Sequence, residues 1–174
     1  MTTRDAILSG ALELLNSGGT VSLESAARHV GLSKPGVMHH FRTKEALMLA
    51  LVDRVAEGWN LELSRRLGSP VEDAPVALRL RTYLEWCLTG DFDEADLVML
   101  SDPRLRKPLL ARWVERMAMW VEVPEDLPLE QRASLTAARL IAEGAWFAAA
   151  TDVFPPEPEL RAGIRAITER LLKD

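Results

Sequence analysis

The chain has 174 residues, 48% hydrophobic and 27% charged; it is long enough to bury a core and too apolar to be a disordered tail. Its formal net charge of -5 speaks, taken whole, against a nucleic-acid binder. The lone cysteine, Cys87, excludes an internal disulfide, and no apolar run approaches the roughly 20 residues that cross a bilayer. With no signal-peptide pattern after Met1, a cytoplasmic protein without a membrane partner is expected.

The charge is unevenly spread. Residues 1–50 hold five basic side chains (Arg4, Arg28, Lys34, Arg42, Lys44) against four acidic ones, a net of +1, whereas residues 51–174 hold sixteen against twenty-two, a net of -6. An acidic C-terminal body therefore leaves room for a DNA-binding N-terminus.

Helical periodicity recurs throughout and strand-type alternation is missing, so an all-α fold of about nine helices is predicted. Thr2 or Thr3 caps a first helix with the apolar stripe Ile7, Leu8, Ala11, Leu12, Leu14, Leu15, which Gly18-Gly19 ends. Ser22 caps a second helix to Val30, Gly31-Leu32-Ser33 turns the chain, and Ser33 caps a third helix ending near Phe41. Pro35 is tolerated in its first turn, which has no N–H partner to lose. Thr43 caps a long fourth helix with Leu47, Leu51, Val55, Trp59, Leu63 and Leu67 on one face, broken by Gly68-Ser69-Pro70. Further helices are expected over 74–89, 93–100, 104–121, 129–151 and 158–172. The domains read as 1–46, a three-helix DNA-binding module, and 47–174, a helical regulatory body.

Two short helices joined by a tight turn and braced by a third make a helix-turn-helix, whose second helix enters the major groove. Residues 22–41 meet that pattern, with Ala26 and Ala27 small enough for a close crossing. The same segment also fits a plain helical hairpin on an enzyme or interaction domain that binds no DNA. The run Ser33-Lys34-Pro35-Gly36-Val37-Met38-His39-His40-Phe41-Arg42-Thr43-Lys44-Glu45-Ala46-Leu47, with Thr20–Ala27 and Gly31 upstream, resembles the signature of the tetracycline-repressor (TetR) family.

The resemblance implies roles. Lys34, Pro35 and Gly36 open the recognition helix toward base edges. Ser22, His40 and Lys44 match phosphate-contacting positions, and Met38, His39 and Arg42 complete the DNA-binding set. Met38 replaces a tyrosine common in the family, which removes one phosphate hydrogen bond, and Glu24 would repel phosphate. Affinity is then expected to rest on Lys34, His40, Arg42 and Lys44. His39 and His40 diverge by about 100° on a helix, so they cannot share one metal, and neither a metal nor a cofactor is expected.

In the body, Trp59, Trp86, Met99, Trp113, Met117, Trp120 and Trp146 fit either core packing or the lining of a small-molecule effector pocket. A small apolar or cationic aromatic effector is expected, any positive charge being balanced by Glu85, Asp102, Glu115, Glu143 or Asp152. Leu160, Ile164, Ile167 and Leu171 form a stripe that, with Leu135, Ala142 and Trp146, suits either packing within one chain or a homodimer interface. No phosphate-cradling loop, zinc spacing or nucleophile motif points to an enzyme. The function expected is a ligand-released repressor, binding a pseudo-palindromic double-stranded operator as a homodimer.

Overall fold

The computed structural model describes residues 2–173. They form eight α-helices: α1 (Thr3–Asn16), α2 (Leu23–His29), α3 (Lys34–His40), α4 (Lys44–Leu67), α5 (Val76–Thr89), α6 (Arg106–Val121), α7 (Leu129–Thr151) and α8 (Pro158–Leu171). Two 3-10 segments, Val71–Asp73 and Glu94–Leu100, lie between them, and the described residues contain no strand. Counting the longer 3-10 segment, the nine helices read from the sequence are all present; the single 3-10 turn at 71–73 is additional.

The caps follow from side-chain chemistry. Thr2, Ser22, Ser33 and Thr43 each accept the backbone N–H three residues on, those of Asp5, Ser25, Gly36 and Ala46. Each satisfies one of the four N–H groups that a helix start leaves without a partner. At the turns, Gly18 and Gly31 both adopt φ near +70, a conformation costly to any residue with a Cβ.

The segment 93–100 is 3-10 rather than α. Asp93 accepts the N–H of Ala95, two residues on, and Leu97 leaves helical geometry at φ -98, ψ 21. The next helix starts at Arg106 instead of Arg104, because Asp102 Oδ1 takes the N–H groups of Arg104 and Leu105 at 2.8 and 3.3 Å.

The chain divides into two compact units, neither of them one continuous stretch. The first comprises Met1–Gly58 with Asp93–Arg116. There α1 packs on α2, α2 on α3, and α1 also on the segment 94–100. Ile7, Ala11, Ala26, Val37, Leu47 and Leu51 are fully buried in it. Asn16, ending α1, donates to Asp93 Oδ2 at 2.6 Å and accepts the N–H of Ala95 at 2.8 Å, tying the later segment to the first helix.

The second unit comprises Trp59–Phe92 with Met117–Asp174. Its main pairing is α5 with α7, and α8 packs on both. Leu80, Leu135, Ala138 and Leu172 form one buried cluster there, flanked by Val76, Val121 and Leu127. Polar ties fix α8 against α5: Arg165 to Glu85 at 2.5 Å, Arg81 to Glu169 at 2.9 Å, and Arg161 to the Leu88 carbonyl at 3.3 Å. No helix of the described residues is long and apolar enough to cross a membrane.

Candidate nucleic-acid interface and aromatic cluster

α3 is held from beneath and open above. Val37 is fully buried and Phe41, just past its end, is 3% exposed, with the Arg4 guanidinium 5.2 Å from the ring centre. On the outer side Lys34, Pro35, Met38, His39 and His40 are exposed, as is Arg42 after the helix, while Gly36 is half-buried. The rings of His39 and His40 stand edge to face, 5.3 Å apart. One short helix thus exposes a cation, a proline ring, a thioether and two imidazoles.

Ser22 and Lys44 are more engaged than the others. The Ser22 hydroxyl donates to Ser25 Oγ at 3.0 Å while capping α2, so its hydrogen-bonding capacity is already used within the fold. The Lys44 ammonium lies 2.5 Å from Asp102 Oδ2. That ammonium holds the Asp102 carboxyl below its ordinary range, helped by the two backbone N–H groups on the same side chain. Asp102 is therefore committed to a lysine and is not a counter-charge waiting for an effector, contrary to the sequence reading. Arg28, absent from the predicted set, borders a shallow depression with Glu24, Ala27, Leu32 and Lys34. A single basic residue at the end of a short helix gives no local pattern to mark it.

In the second unit Trp59, 2% exposed, is the hub of an aromatic cluster. Its ring centre lies 5.0 Å from Trp146, 5.2 Å from Phe92, 5.9 Å from Tyr83 and 6.0 Å from Trp86. The Arg66 guanidinium stacks 4.8 Å over Trp86. The structure so brings together three of the predicted aromatic residues and adds Tyr83 and Phe92, single aromatics that lay outside the tryptophan and methionine pattern. Met117 and Trp120 lie in the same unit, both buried, and the Trp120 indole donates to Asn60 Oδ1 at 2.6 Å. Met99 and Trp113 belong to the first unit.

Glu143, on α7 three residues before Trp146, is partly buried with Arg139 3.4 Å away. Loss of hydration raises its pKa, which Arg139 only partly opposes. The same carboxylate adds to the burial that pushes the Tyr83 hydroxyl and Cys87 thiol well above their ordinary values. Of the other carboxylates read as counter-charges, Glu85 is taken by Arg165 and Glu115 by Arg112, while Asp152 is an exposed left-handed residue ending α7.

The predicted association stripe divides. Leu135, Ala142 and Trp146 are 3%, 0% and 8% exposed and face the interior of their own chain, which corrects their assignment to a surface. They fall on the α7 face that packs on α5, at helical spacing with Ala138. Leu160 and Ile167 are 59% and 52% exposed, and Ile164 and Leu171 are half-buried. Between α7 and α8 a groove of about 410 Å³ is lined by Ile141, Gly144, Ala145, Phe154, Ile164 and Ile167, among others.

The family model for bacterial regulatory proteins of the tetR family matches residues 7–51, and that for the tetracyclin repressor-like C-terminal domain matches residues 77–173. No curated protein sequence matches the chain significantly. Among solved structures, a TetR-family member from Streptomyces coelicolor A3 is 20% identical, with 99% of this chain and 100% of that one covered and a TM-score of 0.64. The multidrug-binding protein EbrR complexed with malachite green is 22% identical over 100% of both chains, with a TM-score of 0.64. AibR in complex with isovaleryl coenzyme A and operator DNA is 17% identical, with 94% of this chain and 96% of that one covered and a TM-score of 0.59. At these identities the likeness is one of fold.

Proposed function

Because the chain belongs to the TetR family of DNA-binding, ligand-responsive transcription regulators, we propose that it is a repressor that reads a pseudo-palindromic operator as a homodimer. An apolar or cationic aromatic effector releases it. The observation that carries the reading is α3: capped by Ser33, anchored by Val37, and exposed at Lys34, Pro35, Met38 and His39. Lys34 is the donor among the first three residues of that helix. Pro35, Gly36 and Met38 contribute shape and apolar contact, for example to a thymine methyl. His40 and Arg42 reach phosphate, and Ser22 and Lys44 do so by exchanging their present partners. Base recognition this poor in donors leans on groove shape and on the spacing of two half-sites.

The dimer face of this reading is the outward side of α7 and α8: Leu160, Ile164, Ile167 and Leu171, joined by Leu140, Phe147 and Phe154. Leu140, Phe147, Phe154, Leu160 and Ile167 are exposed apolar side chains, a kind of surface that is costly on a monomer where it gathers into a patch. For the effector, Trp59, Trp86 and Trp146 offer ring faces and Glu143 a partly desolvated negative charge, the pairing that suits a flat cation. The structures of EbrR with malachite green and with ethidium give a precedent in a protein of the same fold.

The test is in vitro selection of duplexes from a random library with the full chain, followed by binding titrations on the enriched sequence. Enrichment of an inverted repeat, lost in Lys34→Ala and reversed by a cationic dye, is the expected result. Failure to enrich any duplex overturns the proposal.

A further inference from the structure

The first unit contains more than the helix-turn-helix. Asp93–Arg116 belongs to it, clamped at two places. Asn16 holds Asp93 and Ala95, and Lys44 holds Asp102, whose other oxygen binds the N–H groups of Arg104 and Leu105. The chain entering α6 is thereby fixed beside the first residue of α4.

That stretch reads Arg104-Leu105-Arg106-Lys107. Arg104, Arg106 and Lys107 are all exposed, and among the described residues no carboxylate lies within 4.0 Å of any of them. By contrast Arg65, Arg66, Arg81, Arg112, Arg116, Arg139 and Arg165 each have a carboxylate partner. The other exposed cations of the first unit without one are Arg4, Arg28, Lys34, Arg42 and Arg54, of which Arg28, Lys34 and Arg42 lie in or next to the helix-turn-helix.

We propose that Arg104, Arg106 and Lys107 form a second contact with the DNA backbone, flanking the helix-turn-helix and supplied from outside it. The inference rests on the DNA-binding reading above and deepens it. Charge argues for it. Lys44, at a phosphate-contacting position, is neutralised by Asp102, and α3 offers few donors. Three unpaired cations fixed next to Lys44 replace what that pairing removes. Being three point charges on exposed side chains, they hold phosphate without reading sequence.

The experiment compares the full-length wild type with Arg104→Gln/Arg106→Gln/Lys107→Gln, on the duplex enriched by the wild type and on an unrelated duplex of equal length. Fluorescence anisotropy is followed from about 50 to about 200 mM salt. For every phosphate that the protein no longer neutralises, the slope of log affinity against log salt falls by about 0.9. The triple variant is therefore expected to flatten the slope by about 2–3 per protomer and to weaken both duplexes alike. Lys34→Gln should instead weaken chiefly the enriched duplex. The charge-keeping variant Arg104→Lys/Arg106→Lys should retain the wild-type slope, and thermal melts should leave all of these variants folded. If the triple variant misfolds, the three single glutamine substitutions are expected to flatten the slope by about 0.9 each. Wild-type slope and affinity in the triple variant, or in every single one, overturn this proposal while leaving the helix-turn-helix reading intact. A wild type that enriches no duplex overturns both.

Discussion

Lys44 and Asp102 meet at 2.5 Å, so the residue that opens α4 is bound by a carboxylate from the stretch preceding α6. The lysine keeps about a third of its side-chain surface, the aspartate about a tenth. A phosphate reaching Lys44 must therefore compete with a partner already in place.

Asp102→Asn tests that competition. Asparagine keeps an oxygen for the Arg104 N–H but carries no charge, so folding should cost no more than about 1 kcal/mol. Lys44 becomes free, and a negative charge near the DNA disappears. DNA affinity should rise at low salt, and the salt slope should steepen by about one per protomer. Weaker binding at every salt concentration would instead mean that Asp102 holds Lys44 in its productive position.

Gly10 sets how closely α1 and α2 approach. A Cβ there would come within 2.5 Å of Val30 Cγ1 and 3.0 Å of the His29 ring, whereas one at Gly58 on α4 meets nothing within 4 Å. Both are helical, so alanine gains about 0.5–1 kcal/mol of propensity at each. At Gly10 overpacking of about 1–3 kcal/mol outweighs that gain. Urea unfolding should show Gly10→Ala destabilised by about 1 kcal/mol and Gly58→Ala stabilised by about 0.5–1 kcal/mol. Equal shifts of the same sign would refute the packing argument.

The first fifty residues were readable because their signals are local. Ser22 and Ser33 cap, Gly31 turns, and Val37 and Phe41 recur on one face, each within four residues of what it organises. The recruitment of Asp93–Arg116 was not readable: Asn16 with Asp93 and Lys44 with Asp102 are pairings across long sequence separations, and nothing local distinguishes those side chains from solvated ones. The α7 stripe failed for a different reason. That helix is apolar on two sides, Leu135, Ala138, Ala142 and Trp146 on one and Leu140, Gly144, Phe147 and Ala148 on the other. Periodicity marks an apolar face only when the opposite face is polar.

Asn60 and Trp120 give a prediction within the second unit. The Trp120 side chain is fully buried, and its indole N–H donates to Asn60 Oδ1 at 2.6 Å. Asn60→Ala strands a buried donor at a cost of about 1–3 kcal/mol. Asn60→Asp keeps an acceptor and should recover part of that loss. Chemical denaturation reads both, and an unchanged midpoint in Asn60→Ala would show that the hydrogen bond adds nothing net.

Glu143 is where stability and effector binding should pull apart. Burial raises its folded pKa above the ordinary 4.5, so the ionised carboxylate opposes folding. The sign follows from linkage: the penalty is present above the raised folded value, shrinks as pH falls through it, and is gone below about 4.5, where both states are protonated. Glu143→Gln should therefore stabilise the free protein at neutral pH, with the gain fading toward pH 4.5. Such gains at a functional site commonly cost function. The same substitution removes a partly buried negative charge that acts on Tyr83 of the aromatic cluster, so a cationic dye should bind about ten-fold or more weakly, equivalent to about 1.4 kcal/mol. A neutral aromatic of similar shape should be unaffected. In the wild type, acidification should weaken the dye but not the neutral ligand, because protonated Glu143 no longer attracts a cation. Tryptophan fluorescence titration reads all of these. Equal losses for charged and neutral ligands in Glu143→Gln would remove Glu143 from the effector site and leave it a destabilising core charge.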